Sequence, residues 1–169
     1  MAILLCCVAL LFCQGCGYQM AGKATKLPPG IKTIAVPTFS NSTAYYQMEV
    51  RLTRAVINEF ITRTKYRITS AEAGADAVIA ARINSVVATP VTFNPSGRAS
   101  TFLINVSISV AMTDPSKKTI YYQNKNFTFR EEYEISSDPK QFFQEDSPAL
   151  ERLSRQFAQT LVSGILENF

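Results

Sequence analysis

Histidine, the side chain that most often serves as general base or metal ligand, is absent from all 169 residues. The four cysteines, Cys6, Cys7, Cys13 and Cys16, all lie in the first sixteen residues, so the folded body carries neither a disulfide nor thiolate chemistry. Carboxylates are what remain for acid–base work. Glu131, Glu132 and Glu134 stand together beside a strand end; such a run can hold an acid–base pair but is far more often a solvated cluster. No metal-ligand spacing, phosphate loop, nucleophile elbow or nucleic-acid module is present, and Gly15, Gly17 and Gly22 have no strand before them and no helix after them. The net charge of +4 is spread over many Lys and Arg without a dense run. That favours anionic partners only weakly and falls short of a nucleic-acid footprint. No metal or cofactor is expected, and an enzyme is disfavoured.

One cysteine has a neighbourhood suited to covalent chemistry. Residues 2–12 are almost unbroken hydrocarbon, too short to span a bilayer and the right length for the apolar core of a signal peptide. They end in Cys13-Gln14-Gly15-Cys16, where small Gly15 precedes Cys16 while bulky Phe12 precedes Cys13. The arrangement resembles a bacterial lipoprotein box, in which a peptidase cuts ahead of a cysteine whose sulfur and new amine receive acyl chains. Residues 1–15 are then a signal peptide, Cys16 is the lipid attachment point, and residues 16–30 are an acylated tether rich in Gly, Pro, Lys and Ala. Gly17 is not the Asp that keeps many such lipoproteins at the inner membrane, so the resemblance implies the outer membrane, on its periplasmic face.

Residues 31–169 read as a single domain with an ordinary hydrophobic content. Its centre is the stretch from Ala99 to Thr113, where Phe102, Ile104, Val106, Ile108, Val110 and Met112 alternate with Thr101, Leu103, Asn105, Ser107, Ser109 and Ala111. This is a strand with one apolar face, which needs a cover. Asp114-Pro115-Ser116-Lys117-Lys118 then turns the chain into a second strand rich in Tyr, Phe and Thr. Upstream, residues 31–37 form a short strand, and caps at Asn41-Ser42-Thr43 open a helix running to about Thr64. Leu52, Val56 and Phe60, joined by Val50, Ile57 and Ile61, give it a broad apolar arc opposite Arg51 and Arg54. In residues 77–87, Ile79, Ala81, Ile83 and Val87 face one way and Ala80, Arg82 and Asn84 the other, and residues 89–100 form a loop. Ser147-Pro148 begins a last helix whose Leu150, Leu153, Phe157, Leu161, Gly164 and Ile165 share a face. The expected fold is α+β, a two-layer sandwich with a mixed four-stranded sheet and both helices on one face, in the order strand-helix-strand-strand-strand-helix. The uncovered face, with Arg82, Asn84, Asn105, Ser107 and Ser109, is small and polar and suits water.

Taken in order, these features resemble the LptE family of lipopolysaccharide-assembly lipoproteins. The resemblance is carried by Cys16-Gly17-Tyr18, by Ile34-Ala35-Val36-Pro37-Thr38-Phe39-Ser40-Asn41-Ser42-Thr43 at the strand-to-helix joint and by Ala75-Asp76-Ala77. Gly97-Arg98-Ala99-Ser100 and Tyr133 complete it. It implies an outer-membrane lipoprotein that plugs and helps assemble the barrel LptD and assists delivery of lipopolysaccharide to the cell surface. The partners it implies are LptD, lipopolysaccharide and, through Cys16, the membrane, with no nucleic acid. It also implies lipopolysaccharide binding by basic residues near the sheet's loops. Arg98 lies inside the matching motif, and Arg82, Lys125 and Arg130 are added on charge alone. A periplasmic lipid carrier and a hydrolase of envelope polymers are the alternatives; the first needs an apolar cavity and the second lacks His and Cys.

Overall fold

The computed structural model describes residues 27–134 and 146–167. In chain order its elements are β1 (Thr33–Ala35), β2 (Ser40–Asn41), α1 (Met48–Arg63), β3 (Arg67–Thr69), β4 (Ala77–Phe93), β5 (Ala99–Thr113), β6 (Ile120–Glu134) and α2 (Asp146–Glu167). Strand β5 has the bounds that its alternation predicts. Ile104, Val106, Ile108, Val110 and Met112 are each at most 2% exposed, and they share one core with Leu52, Val56 and Phe60 of α1 and Leu153, Phe157 and Leu161 of α2. Both helices therefore cover the same face of the sheet.

The sheet is mixed, as expected, but it has six strands instead of four, in the order β3-β1-β4-β5-β6 with β2 also beside β4. The additional strands are three and two residues long, too short to show a period of two. Register alone creates β2, whereas β3 coincides with a short extended piece that the sequence suggests at residues 66–69, within the connector after α1. Strand β1 pairs in parallel with both β3 and β4, and the chain then detours through Pro37 and returns to β4 as β2, with Ser40 opposite Arg82 and Asn41 opposite Ile83. The detour buries Phe39, whose amide donates to Thr53 Oγ1 at 3.0 Å. Asp76 fastens the start of β1 by accepting the amides of Lys32 and Thr33, both at 2.8 Å.

Three expectations about individual residues are corrected. Val87 does not face the core with Ile83 but is 53% exposed. The register between β4 and β5 shifts between Ile83 and Ser85, and this bulge transfers the inward positions to Val86 and Ala88. Residues 89–100 are not a loop for most of their length, since β4 continues to Phe93 and pairs with β5 down to Ala99. Pro90 is tolerated there because, among the described residues, no strand lies beyond β4 after β2 ends. In α1 the buried stripe is Met48, Leu52, Thr53, Val56 and Phe60, while Val50 and Ile61 are exposed. Packing α2 alongside α1 leaves the sheet room for one narrow stripe, so the broad arc is only partly used.

The beginning of α1 also differs from a simple cap. Gln47 precedes the helix in a left-handed conformation, and Asn41 organises the approach by accepting from the amide and hydroxyl of Thr43 and donating to the Tyr45 carbonyl and to Glu49. At the other end Thr64 closes the helix, its hydroxyl donating to the Phe60 carbonyl at 2.6 Å. Where α2 meets the sheet, Phe157 stands edge-on to Phe39, Phe127 and Phe129, with ring centroids 6.3, 6.0 and 5.2 Å away.

Candidate functional site

The face of the sheet opposite the helices is built by the positions that alternate with the core. On β5 these are Asn105, Ser107, Ser109 and Ala111; Ser109 lies opposite Arg82 of β4, and Asn105 lies opposite Arg130 of β6. Short hydroxyl and amide side chains keep this surface flat and hydrated. Ser107 donates to Asn126 Oδ1 at 2.7 Å, and Ser109 approaches Asn84 Oδ1 and the Arg82 carbonyl at 3.4 and 3.5 Å. Within it lies a shallow depression of about 310 Å³ whose lining includes Ser40, Arg82, Ser109, Gln123, Asn124 and Lys125. Arg82 and Lys125 are both exposed, so two cations and several hydrogen-bonding groups meet over a hydroxylated floor. This arrangement can hold anionic oxygen groups by charge-assisted hydrogen bonds without a deep cavity.

The four basic residues picked out from the sequence do not form one site. Arg82 and Lys125 share the depression. Arg130 is on the same face but opposite Asn105, four residues or about 14 Å further along β5 at the usual strand rise. Arg98 is at the tip of the β4–β5 hairpin, eleven residues or about 37 Å along the chain from Ser109. The tip is well built. Asn94 Oδ1 accepts the amides of Ser96 and Arg98, both at 3.0 Å, the Asn94 amide donates to the Arg98 carbonyl at 2.8 Å, and Gly97 supplies a positive φ of 72°. Asn94, which charge-based reading passes over, thus presents Arg98 to solvent; its place two residues before Ser96 is an Asx-turn signal. Cys16 lies outside the described residues.

The carboxylate run is divided between the two faces of the sheet. Glu131 is opposite Ile104 and reaches the helix side, where it forms an ion pair with Arg152 of α2. Glu132 is opposite Leu103 and belongs to the other face. Neighbouring strand positions diverge to opposite sides of the sheet, so Glu131 and Glu132 cannot share a substrate, while Glu134, opposite Thr101, falls on the face of Glu132. Arg51 and Arg54 line a groove of about 240 Å³ between the helices together with Gln47, Asn58 and Glu151. Among the described residues no cluster of three or more His, Cys, Asp or Glu is placed to hold a metal, and no helix is long and apolar enough to cross a membrane.

At the opposite end of the sheet from Arg98, Asp114 governs the β5–β6 turn. Its carboxylate accepts the amides of Ser116 and Lys117 at 2.8 and 3.0 Å and the Tyr121 hydroxyl at 3.0 Å. The Lys117 amide is the largest influence holding this carboxyl below its usual value of 3.8, and burial works against it. Asp76 is lowered in the same way, chiefly by the Lys32 amide and then by that of Thr33. Burial and the neighbouring Asp114 raise the Tyr121 phenol above its usual 10.0.

Solved structures with the same fold include rare lipoprotein B from Shewanella oneidensis, 15% identical, with a TM-score of 0.55 over 80% of this chain and 94% of that one. Lipoprotein B from Nitrosomonas europaea is 10% identical, with a TM-score of 0.56 over 89% and 90% of the two chains. A protein from Xanthomonas campestris is 13% identical, with a TM-score of 0.57 over 82% and 85%. No curated relative matches the sequence. The lipopolysaccharide-assembly family LptE matches residues 31–165, from the strand ahead of β2 to the last turn of α2, and the chain belongs to that family.

Proposed function

We propose that this protein is an outer-membrane lipoprotein, acylated at Cys16, that plugs and helps assemble the barrel LptD and assists delivery of lipopolysaccharide to the outer leaflet without acting as an enzyme. The observation that carries the reading is family membership over almost the whole domain, combined with a sheet face whose centre, around Ser107, Ser109, Arg82 and Lys125, is polar and basic, exposed apolar side chains being confined to Val87, Val91 and Phe93 toward the β4–β5 hairpin and Ile120 at the start of β6 among the large described ones on the sheet. A plug in a hydrated barrel lumen needs such a surface, since an exposed apolar sheet would associate with itself. Lipopolysaccharide carries clustered phosphates and carboxylates, which suit the Arg82–Lys125 depression and, separately, Arg98 at its rigid tip. A lipid carrier would need space for acyl chains under the helices, where the rings of Phe39, Phe127, Phe129 and Phe157 are packed on one another.

Copurification tests the partnership: the acylated protein should be recovered with a large barrel protein identified as LptD, and recovery alone from membranes rich in that barrel would overturn the plug reading. Lipopolysaccharide binding is tested separately by Arg98→Glu and by the pair Arg82→Gln with Lys125→Gln. Each should weaken binding in a salt-sensitive way while leaving copurification intact. Unchanged binding at low salt by a well-folded variant removes the altered residues from the site.

A further inference from the structure

The described chain begins at Leu27, which is buried and donates its amide to the Tyr66 hydroxyl at 3.1 Å. Tyr66 is flanked by Lys65 and Arg67, both exposed, and the Arg67 amide donates to the carbonyl of Lys32, also exposed, at 2.9 Å. The β5–β6 turn stands at the same end of the sheet, because Thr113 pairs with Val78, close to Asp76 and Lys32. That turn presents Lys117, whose side chain is 77% exposed although its ammonium lies 3.9 Å from Asp114 Oδ2, and Lys118 in a left-handed conformation, with the Lys117 amide donating to the Asp114 carboxylate and the Lys118 amide to the Asp114 carbonyl. Of the acids at this end, Asp76 and Asp114 are turned onto backbone amides, leaving Glu72 and Glu167 exposed. Arg63 is already engaged by Glu59 and Ser163.

We propose that the end of the fold bearing Lys32, Lys65, Arg67, Lys117 and Lys118 docks electrostatically on anionic phospholipid headgroups of the bilayer that holds the tether. The inference rests on Cys16 being the lipid attachment point. The leash from Cys16 to Leu27 is eleven residues, at most about 40 Å when extended, whereas charge attraction acts over about 8 Å at physiological salt. The anchor alone therefore allows the domain to stand off the bilayer; it keeps this end at high effective concentration near the surface, and the exposed cations draw it into contact. Lys23 and Lys26 on the leash have the same sign and no acid lies between Cys16 and Leu27. Geometry brings this end to the bilayer: whatever else the domain touches, the root of its leash is bracketed by basic residues.

The test uses the full acylated protein carrying Ser116→Cys with a fluorophore on that thiol, reconstituted in vesicles that contain a headgroup-linked quencher. Vesicles of phosphatidylcholine alone are compared with vesicles of equal parts phosphatidylcholine and phosphatidylglycerol. Quenching should rise several-fold with phosphatidylglycerol, fall back at high salt, and lose most of that rise when Lys117→Gln and Lys118→Asn are added, Asn being chosen for the left-handed position. Protein that remains vesicle-bound with equal quenching in both lipids overturns the docking while leaving the anchor in place. Quenching that appears only when an acidic partner protein is co-reconstituted also overturns it and assigns this end to that partner. Protein that washes off the vesicles overturns the anchor and this inference with it.

Discussion

The two sides of β5 have the same backbone and opposite fates. Val106 is 1% exposed beneath the helices, while its neighbour Ser107 is partly exposed on the open face. The first side is held by apolar area removed from water, at roughly 25 cal/mol per Å², and by close packing that tolerates little change of volume. The second side keeps its hydroxyls and amides hydrated or bonded to one another, so leaving it uncovered costs little. A two-layer protein therefore has one face for stability and another free to carry charge and meet a partner. In this chain the division runs between adjacent residues.

The largest expected effect comes from placing a charge on the wrong side. Val106→Asp should cost more than about 4 kcal/mol and leave a chain that does not fold, because among the described residues no Lys or Arg is buried under the helices to receive the carboxylate; circular dichroism and proteolysis would reveal it. Phe157→Ala removes the ring about which Phe39, Phe127 and Phe129 are arranged and should cost about 3–5 kcal/mol in a denaturant titration. Ser107→Asp should cost no more than about 1 kcal/mol, the value of its bond to Asn126. Equal losses for Val106→Asp and Ser107→Asp would show that both faces are buried and dissolve the contrast.

Acid sharpens the comparison along the sheet instead of across it. Asp76 and Asp114 ionise more readily in the folded chain than in the unfolded one, so the stability they contribute is present above the usual carboxyl value of 3.8 and drains away as pH falls from there through their lower folded values. Asp114→Asn should flatten the acid limb of a stability–pH curve. An unchanged limb would mean that the turn does not depend on the charge. The smallest effect belongs to Gly164, where an added Cβ would lie 3.3 Å from the Tyr122 hydroxyl oxygen, the movable end of a side chain. Gly164→Ala should gain up to about 1 kcal/mol of helix propensity, less whatever the shift of Tyr122 costs; thermal melting would measure the balance.

Of the candidate site, the sequence indicated residue types but not their grouping. Arg82 and Lys125 qualify by charge alone, and they share a depression because β4 and β6 flank β5 in register; Arg130, which qualifies the same way, and Arg98, which qualifies by its motif, lie at increasing distances measured along β5. Nothing local to Arg82 points to Lys125, since the two are joined only through strand pairing.

What the sequence determined unaided was whatever repeats over a few residues: the bounds and covered face of β5, the apolar stripe of α2 and the contrast between the two sides of the sheet. Side chains two apart on a strand or three to four apart on a helix share a surface whatever else the chain does. Tertiary structure alone decided the strand β2, the parallel pairing of β3 with β1, the bulge that turned Val87 outward, and the narrowing of the α1 stripe that left Val50 and Ile61 exposed. Each of these depends on which distant segment lies alongside, and a two-residue strand or a one-residue shift of register leaves no period in the sequence from which it can be read.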